Sequence, residues 1–140
     1  MKNGEAVELV LNKIKIDENR NEQIIVLKEK TGSRYLPVVI GIAEVNAIKL
    51  KLSGIEPPRP LTHDLLLRVI EGFGGKLKHI LIDRLENSTF YAKLIVSQNS
   101  GGQEIEFDSR PSDSIALALR ANAPIMVNES VLDEAGVNGL

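Results

Sequence analysis

The chain has 140 residues, a hydrophobic share of 43%, a charged share of 26% and a formal net charge of −2, which are ordinary values for one globular domain. The acidic balance argues against a tight nucleic-acid binder, although a local basic patch is compatible with it, and the absence of cysteine excludes disulfides, thiolate metal ligands and thiol nucleophiles. Because no apolar run approaches the roughly 20 residues that cross a bilayer and the N-terminus has no apolar signal core, we expect a cytoplasmic protein without a membrane partner.

The first half of the chain predicts three strands. Residues 7–16 alternate apolar and polar positions and shift phase after Leu11, which predicts a strand that is either bulged or partly two-sided. Residues 24–27 and 35–40 predict the second and third strands. Pro37 lies in the third strand, and because proline cannot donate to a ladder, that strand is expected at a sheet edge or to start there.

Two helices are expected next. Apolar residues at helical spacing from Val45 to Leu52 predict the first helix, and Gly54 is placed to end it. The proline-rich residues 55–60 predict an extended connector. Thr62 is expected to cap a second helix, which should bury its apolar side. The residues of that side are Leu65, Leu66, Val69, Ile70 and Phe73.

The second half repeats the pattern of three strands and a helix. The strands are expected at residues 77–85, 89–96 and 105–107. A third helix should begin at Pro111, because proline suits the first helical position. Residues 124–127 predict a last short strand, and the tail from Glu129 is expected to hold at most a short helix.

The order of elements in the two halves predicts an internal duplication. Strands fall on strands and helix on helix when residues 7–54, approximately, are compared with residues 76–121, approximately, and Glu44 then corresponds to Asp113. The predicted fold class is therefore α+β, with a duplicated strand-strand-strand-helix unit. A single domain over residues 1–140 would contain a mixed or antiparallel sheet packed with about three helices.

The densest polar string is DSRPSD at residues 108–113, where a strand is expected to end and a helix to begin. The carboxylates of Asp108 and Asp113 suit an oxygen cage for a divalent cation, and the guanidinium of Arg110 suits a phosphate. The structural interpretation is equally concrete. Ser112 and Asp113 are ordinary first-turn residues, and Arg110 would then pair with Asp108.

The second polar string, PPRPLTHD at residues 57–64, also lies at a helix entrance. His63 could act as a general base or a metal ligand, since imidazole titrates near neutral pH. Asp64 follows it directly, but sequence neighbours on a helix do not face one another. In the structural alternative, both residues simply occupy the first turn. Glu44, an acid in the first turn of the first helix, would by itself be a surface residue favoured by the helix dipole.

At these strings the chain resembles the bifunctional nuclease domain family, whose name rests on members that degrade both RNA and DNA. The matching stretches are LPVVIG at 36–41 followed by Glu44, PPRPLTHDLL at 57–66, STFYAKL at 88–94, FDSRPSDSIALALR at 107–120 and APIMV at 123–127. Val39 and Val45 depart from the pattern, in which position 39 is often a large aromatic residue and position 45 is commonly alanine. These departures alter packing near the first helix and remove none of the charged candidates.

The resemblance implies a role for each polar residue that matches the family's signature. The implied catalytic residues are His63, Asp64, Asp108, Arg110 and Asp113. The implied substrate-binding residues are Arg59, Thr62 and Ser112. The implied ligands of a divalent cation, Mg²⁺ or Mn²⁺, are Glu44, Asp108 and Asp113.

These observations are compatible with two functions. In the first, the domain is a nuclease that hydrolyses RNA, DNA or both, with weak binding of nucleic acid and a metal-activated water. In the second, it is a non-enzymatic binding or regulatory module, in which the polar strings form a buried network that joins the two halves or two subunits. A homodimer is expected in either case, because an edge strand such as the one with Pro37 needs covering.

Overall fold

Strands and helices follow one another in the order that the sequence predicts. The computed structural model describes residues 5–17, 19, 22–98 and 102–139, and within these it is an α+β fold of seven strands and four helices. The elements are β1 (Ala6–Asp17), β2 (Glu22–Glu29), β3 (Tyr35–Gly41), α1 (Ile42–Leu52), α2 (Thr62–Gly72), β4 (Gly75–Glu86), β5 (Thr89–Gln98), β6 (Glu104–Ser109), α3 (Pro111–Ala121), β7 (Ile125–Asn128) and α4 (Glu129–Ala135).

The described strands form one mixed sheet in the order β3-β2-β1-β7-β4-β5-β6. β4 and β7 pair in parallel, and every other neighbouring pair is antiparallel. The register of β1 shifts between Leu11 and Lys13, which agrees with the bulged strand, one of the two predicted alternatives. β3, which contains Pro37, lies at one edge. The order places one three-strand meander on each side of β7, an arrangement compatible with the duplication, which stays a prediction.

α3 is the central helix of the fold. It packs against α1, α2, β4 and β5, and its residues from Ser114 to Ala118 are buried. It begins at Pro111, as predicted. α4 is the short tail helix that was expected after Glu129, and it packs against β3, β4 and β7. The sheet and α3 therefore hold the entrances of the other helices in fixed positions.

The prediction that α2 buries its apolar side is wrong. No α2 residue is buried, and the side chain of Phe73, just beyond its end, is 87% exposed. Leu67 and Ile70 pack partly against the core, while Leu65 and Val69 are exposed. The apolar periodicity of a helix shows that one side avoids water, but it does not show which surface covers that side.

The start of α2 also differs from the prediction by one residue. Leu61, rather than Thr62, is the N-cap, and it has no side-chain acceptor. The carboxylate of Asp64 compensates in part, because its Oδ2 accepts a hydrogen bond from the backbone N–H of Leu61 at 2.9 Å. Within the described part of the chain, no helix has the length and apolar character needed to span a membrane.

Candidate active site at three helix entrances

The first turns of α1, α2 and α3 meet at one place on the surface. Glu44 is the third residue of α1 and Asp113 the third residue of α3, while His63 is the second residue of α2. Arg110 is the N-cap of α3. α1 and α3 each follow a strand, and α2 follows the proline-rich connector. The four polar residues therefore come from distant parts of the sequence and meet only in the folded chain.

These four residues form one continuous chain of contacts, which we call the Arg110 cluster. His63 Nε2 lies 2.9 Å from Asp113 Oδ1. Arg110 donates from Nε to Asp113 Oδ2 at 3.0 Å and from Nη1 to Glu44 Oε1 at 3.2 Å. The predicted convergence of His63, Glu44, Arg110 and Asp113 is therefore present in the fold.

Arg110 remains open to solvent within this cluster. Its side chain is 64% exposed, whereas those of Glu44, Asp113 and His63 are between 16% and 32% exposed. Beside it lies a groove of about 450 Å³, lined by Glu44, Arg110 and Ser112 together with Phe90 and the β3 edge. The cluster thus contains one solvent-accessible cation, Arg110, and three side chains that are partly shielded from solvent.

Asp113 is an ionised acceptor at neutral pH. Burial raises the pKa of its carboxyl, but the hydrogen bonds from His63 and Arg110 outweigh that effect, and the pKa lies below its usual value. The hydrogen bond to Asp113 in turn raises the pKa of the Arg110 guanidinium, so that group stays charged. The carboxylate can therefore orient both of its neighbours without taking up a proton itself.

The contact with Asp113 also fixes the tautomer of His63 when its ring is neutral. An ionised carboxylate can only accept, so Nε2 must carry the hydrogen and Nδ1 must be the basic nitrogen. No partner of Nδ1 is present among the described residues. A histidine arranged in this way can accept a proton while its carboxylate partner stabilises the resulting positive charge.

Asp64 lies beside His63 in sequence but faces a different partner. Its Oδ1 accepts from Arg120 Nε at 2.7 Å, and Arg120 also donates to the carbonyl oxygens of Ala116 at 3.0 Å and Ala47 at 3.1 Å. The Arg120 side chain is only 5% exposed. The hydrogen bond from the backbone of Leu61 lowers the pKa of Asp64, and Arg120 lowers it further against the effect of burial. These contacts tie α1, α2 and α3 together and favour a structural role for Asp64.

Asp108 lies on the other side of the sheet from α2. It pairs in register with Lys93, and Glu106, two residues earlier on β6, contacts Lys93 Nζ at 3.3 Å. Phe107 points the opposite way and lines a groove with Val69 of α2. Since alternate residues of a strand share a face, the Asp108 side chain is directed away from the Arg110 cluster.

The implied substrate-binding residues occupy three different environments. Arg59 in the connector and Thr62 at the start of α2 are exposed. Ser112 is buried and lines the groove beside Arg110. Ser112 is thus the one of the three that lines the groove beside the cluster.

The carboxylates implied as metal ligands are engaged in other contacts. Glu44 and Asp113 each give an oxygen to Arg110, so they would have to release the guanidinium before holding a cation, and Asp108 faces away. Among the residues that the structure describes, no three acidic, histidine or cysteine side chains are grouped to hold a metal ion. In this arrangement the residues do not fit a metal cage, and a metal requirement stays a prediction from the sequence.

Sequence reasoning missed Arg120 as the partner of Asp64. A basic residue in the last turn of α3 looks like an ordinary partner of the helix dipole. The available signal was that Arg120 ends the stretch shared with the family and directly follows five apolar residues, 115–119.

Comparison with known proteins identifies a family that this chain matches. A family model described as the Bifunctional nuclease domain matches residues 25–139. An uncharacterised protein of Mycobacterium tuberculosis is 46% identical over 124 residues, which cover 89% of this chain and 73% of that protein. Bifunctional nuclease 1 of Oryza sativa subsp. japonica is 27% identical over 143 residues, covering 98% of this chain and 43% of that protein. Bifunctional nuclease 1 of Arabidopsis thaliana is 27% identical over 108 residues, covering 75% of this chain and 33% of that protein. This chain spans less than half the length of these two plant relatives.

Proposed function

This chain belongs to the bifunctional nuclease domain family, and from that membership we propose that it hydrolyses phosphodiester bonds in RNA, DNA or both. The observation that carries the proposal is the Arg110 cluster, in which an exposed cation and a carboxylate-bound histidine from separate helices meet beside a groove. Phosphodiester hydrolysis needs a cation for the phosphate and a base for the attacking oxygen, and the cluster offers both.

Arg110 is proposed to bind the phosphate. Two of its five N–H groups are used, one by Asp113 and one by Glu44, which leaves Nη2 and one hydrogen of Nη1 for non-bridging oxygens. Glu44 and Asp113 hold the plane of the guanidinium in place from two sides. Such fixed donors stabilise charge that develops on the phosphate without having to reorganise during the reaction.

His63 is proposed to be the general base. Its Nδ1 would accept the proton of the attacking water while Asp113 stabilises the charged ring. As the new P–O bond forms, the P–O bond to the leaving sugar oxygen breaks, and that oxygen takes a proton from solvent. General acid–base catalysis of this kind typically contributes about 10²-fold to 10⁴-fold in rate. Apart from water and the substrate, these steps use only groups of the chain.

The groove favours a single strand as substrate. Its volume of about 450 Å³ suits one small ligand or nucleotide, and Phe90 at its wall offers an aromatic face for a base. The acidic net charge of the chain is consistent with weak rather than tight binding.

Cleavage of labelled single-stranded RNA and DNA tests the proposal. We expect activity in the wild type and at least a 100-fold loss in Arg110→Ala and in His63→Ala. Arg84→Ala, which removes an exposed arginine of β4, is the matched control and should keep wild-type activity. Cleavage that is equal in all four proteins would identify a contaminant and refute the proposal. Parallel reactions with a chelator and with added Mg²⁺ or Mn²⁺ test the predicted metal requirement separately.

The second candidate is a non-enzymatic binding or regulatory module. The buried Arg120, held by Asp64 and two backbone carbonyl oxygens, favours it, because this part of the polar signature serves the packing of three helices. On that view, substitutions at Arg110 or Asp113 would lower stability strongly, and no cleavage would be detected in any variant. The exposure of Arg110 is the observation that makes this the weaker candidate.

A further inference from the structure

The outward side of α2 and the adjoining end of β6 form an exposed apolar surface. Phe73 is 87% exposed, and the other members are also substantially exposed. We call it the α2–β6 surface, and its members are Leu65, Leu66, Val69, Phe73 and Phe107. A soluble chain rarely leaves so many large apolar side chains together in water unless something covers them.

The extent of this surface matches what a stable contact between two chains requires. From the exposed fractions, the five side chains present on the order of 400 Å² of apolar area. A standard protein interface buries about 800 Å² on each partner, of which about 65% is apolar at a homodimer contact. The α2–β6 surface therefore supplies most of the apolar area that such a contact needs.

The surface carries both an apolar groove and a highly exposed aromatic side chain on the same chain. The groove, of about 350 Å³, lies between α2 and β6, and its lining includes Leu66, Val69, Phe73, Ile105 and Phe107. Phe73 is at the end of α2 and forms one wall of the groove, but at 87% exposure most of its ring remains accessible to another chain. A surface with both features can be complementary to itself, because each copy can place its Phe73 against the groove of the other. This is the property that a two-fold contact demands.

The charges on the other face of β6 disfavour one other arrangement. Glu104, Glu106 and Asp108 alternate along β6 on the face away from α2, and direct pairing of β6 with its copy would bring acids of both chains together. Lys78 and Lys93 pair with Glu104 and Glu106 within the chain, which reduces this penalty without removing it. Packing of α2 against a second α2 avoids it.

We propose that the α2–β6 surface is the contact between two copies of this chain, related by a two-fold axis near Val69. The contact differs from the one expected from the sequence, which was the β3 edge. Part of that edge is already satisfied, because Tyr35 at the start of β3 exchanges backbone hydrogen bonds with Val137 at 2.7 Å and 2.8 Å. The α2–β6 contact is independent of nuclease activity and is tested without it.

Molar mass in solution is the first measurement. Light scattering after size exclusion should give about twice 15.4 kDa for the wild type at micromolar concentration. Phe73→Glu and Leu65→Glu should each give the mass of one chain, since both place a charge inside the contact. Ile55→Glu is the matched control, because Ile55 is an exposed isoleucine in the connector, and it should keep the mass of two chains.

Disulfide crosslinking locates the axis. The chain has no cysteine, so Val69→Cys introduces the only thiol, and mild oxidation should link two copies rapidly if Val69 lies near the axis. Ile55→Cys should remain unlinked under the same conditions. This test also decides the matter if a glutamate variant fails to fold.

Three results would overturn the inference. A wild type with the mass of one chain would do so, as would two chains whose association survives Phe73→Glu in a folded protein. Equal crosslinking at positions 69 and 55 would also do so. A chain that stays single and sediments with phosphatidylcholine vesicles would show instead that the surface meets lipid.

Discussion

Replacing Asp64 with asparagine tests whether Asp64 has a structural role that differs from the proposed catalytic role of its neighbour His63. Asparagine keeps an oxygen that can accept from the Leu61 N–H, but it removes the negative charge next to Arg120. The guanidinium is 5% exposed and would keep only its two carbonyl acceptors. The substitution therefore leaves a buried charge without its counterion, while His63 and Asp113 are untouched.

The expected loss of stability follows from this burial. Breaking a fully buried ion pair costs about 3–5 kcal/mol, and because the Asp64 side chain is itself 27% exposed, we expect about 2–4 kcal/mol. For a chain of this size, that corresponds to a fall in Tm of roughly 6–12 °C. Since wild-type stability of domains is typically about 5–15 kcal/mol, the variant should still be folded at 25 °C.

Urea unfolding followed by circular dichroism measures this loss, and cleavage at 25 °C measures the activity that remains. Asp133→Asn is the matched control, because Asp133 pairs with Arg34 while its side chain is 64% exposed, and it should cost at most about 1 kcal/mol. Equal losses in the two variants would refute the structural role of Asp64. So would a folded Asp64→Asn protein whose cleavage is as slow as that of Asp113→Asn.

Three further predictions concern stability. The folded pKa values of Asp64 and Asp113 lie below their unfolded values, so the stability that these groups contribute is present above about pH 4 and is lost as the pH falls. Urea unfolding should therefore give a lower free energy of unfolding at about pH 3 than at about pH 7. Equal free energies at the two pH values would contradict this. Arg34 joins β2 to α4 through three carboxylates. Arg34→Met should lower the free energy of unfolding by about 1–3 kcal/mol and should speed amide exchange in α4 more than in α2. An equal increase of exchange in both helices would exclude this link. Gly136→Ala should lower the free energy of unfolding by about 1–3 kcal/mol, because a Cβ there meets the preceding turn of α4. Gly139→Ala should be neutral, because a Cβ at Gly139 has no atom within 4 Å. Equal melting temperatures of the two variants would show that the turn shifts freely.

Much of the fold was predictable because the relevant signals are local. The phase shift after Leu11 marked a bulge, Pro37 marked an edge strand and Pro111 marked a helix start, and each of these depends on backbone geometry within a few residues. The exposure of α2 was not predictable, because a periodic pattern such as that of Leu66 and Val69 does not identify the partner surface.

The candidate site shows the same division. The resemblance named His63 and Asp113, but only the fold shows that they are 2.9 Å apart. The separation of Asp108 from them could have been read from the sequence, since its neighbour Phe107 is apolar and alternate strand residues face opposite ways. The burial of Arg120 depends on three helices at once, and no local pattern reveals it.

The rate at which wild type and Asp113→Asn cleave a labelled single-stranded oligonucleotide tests the central claim most directly. Asparagine preserves the shape of the side chain but loses the charge that fixes the tautomer of His63. We therefore predict a rate at least about 100-fold lower, with a melting temperature within a few degrees of the wild type. Equal rates, or a loss of activity that accompanies unfolding of the variant, would contradict the account.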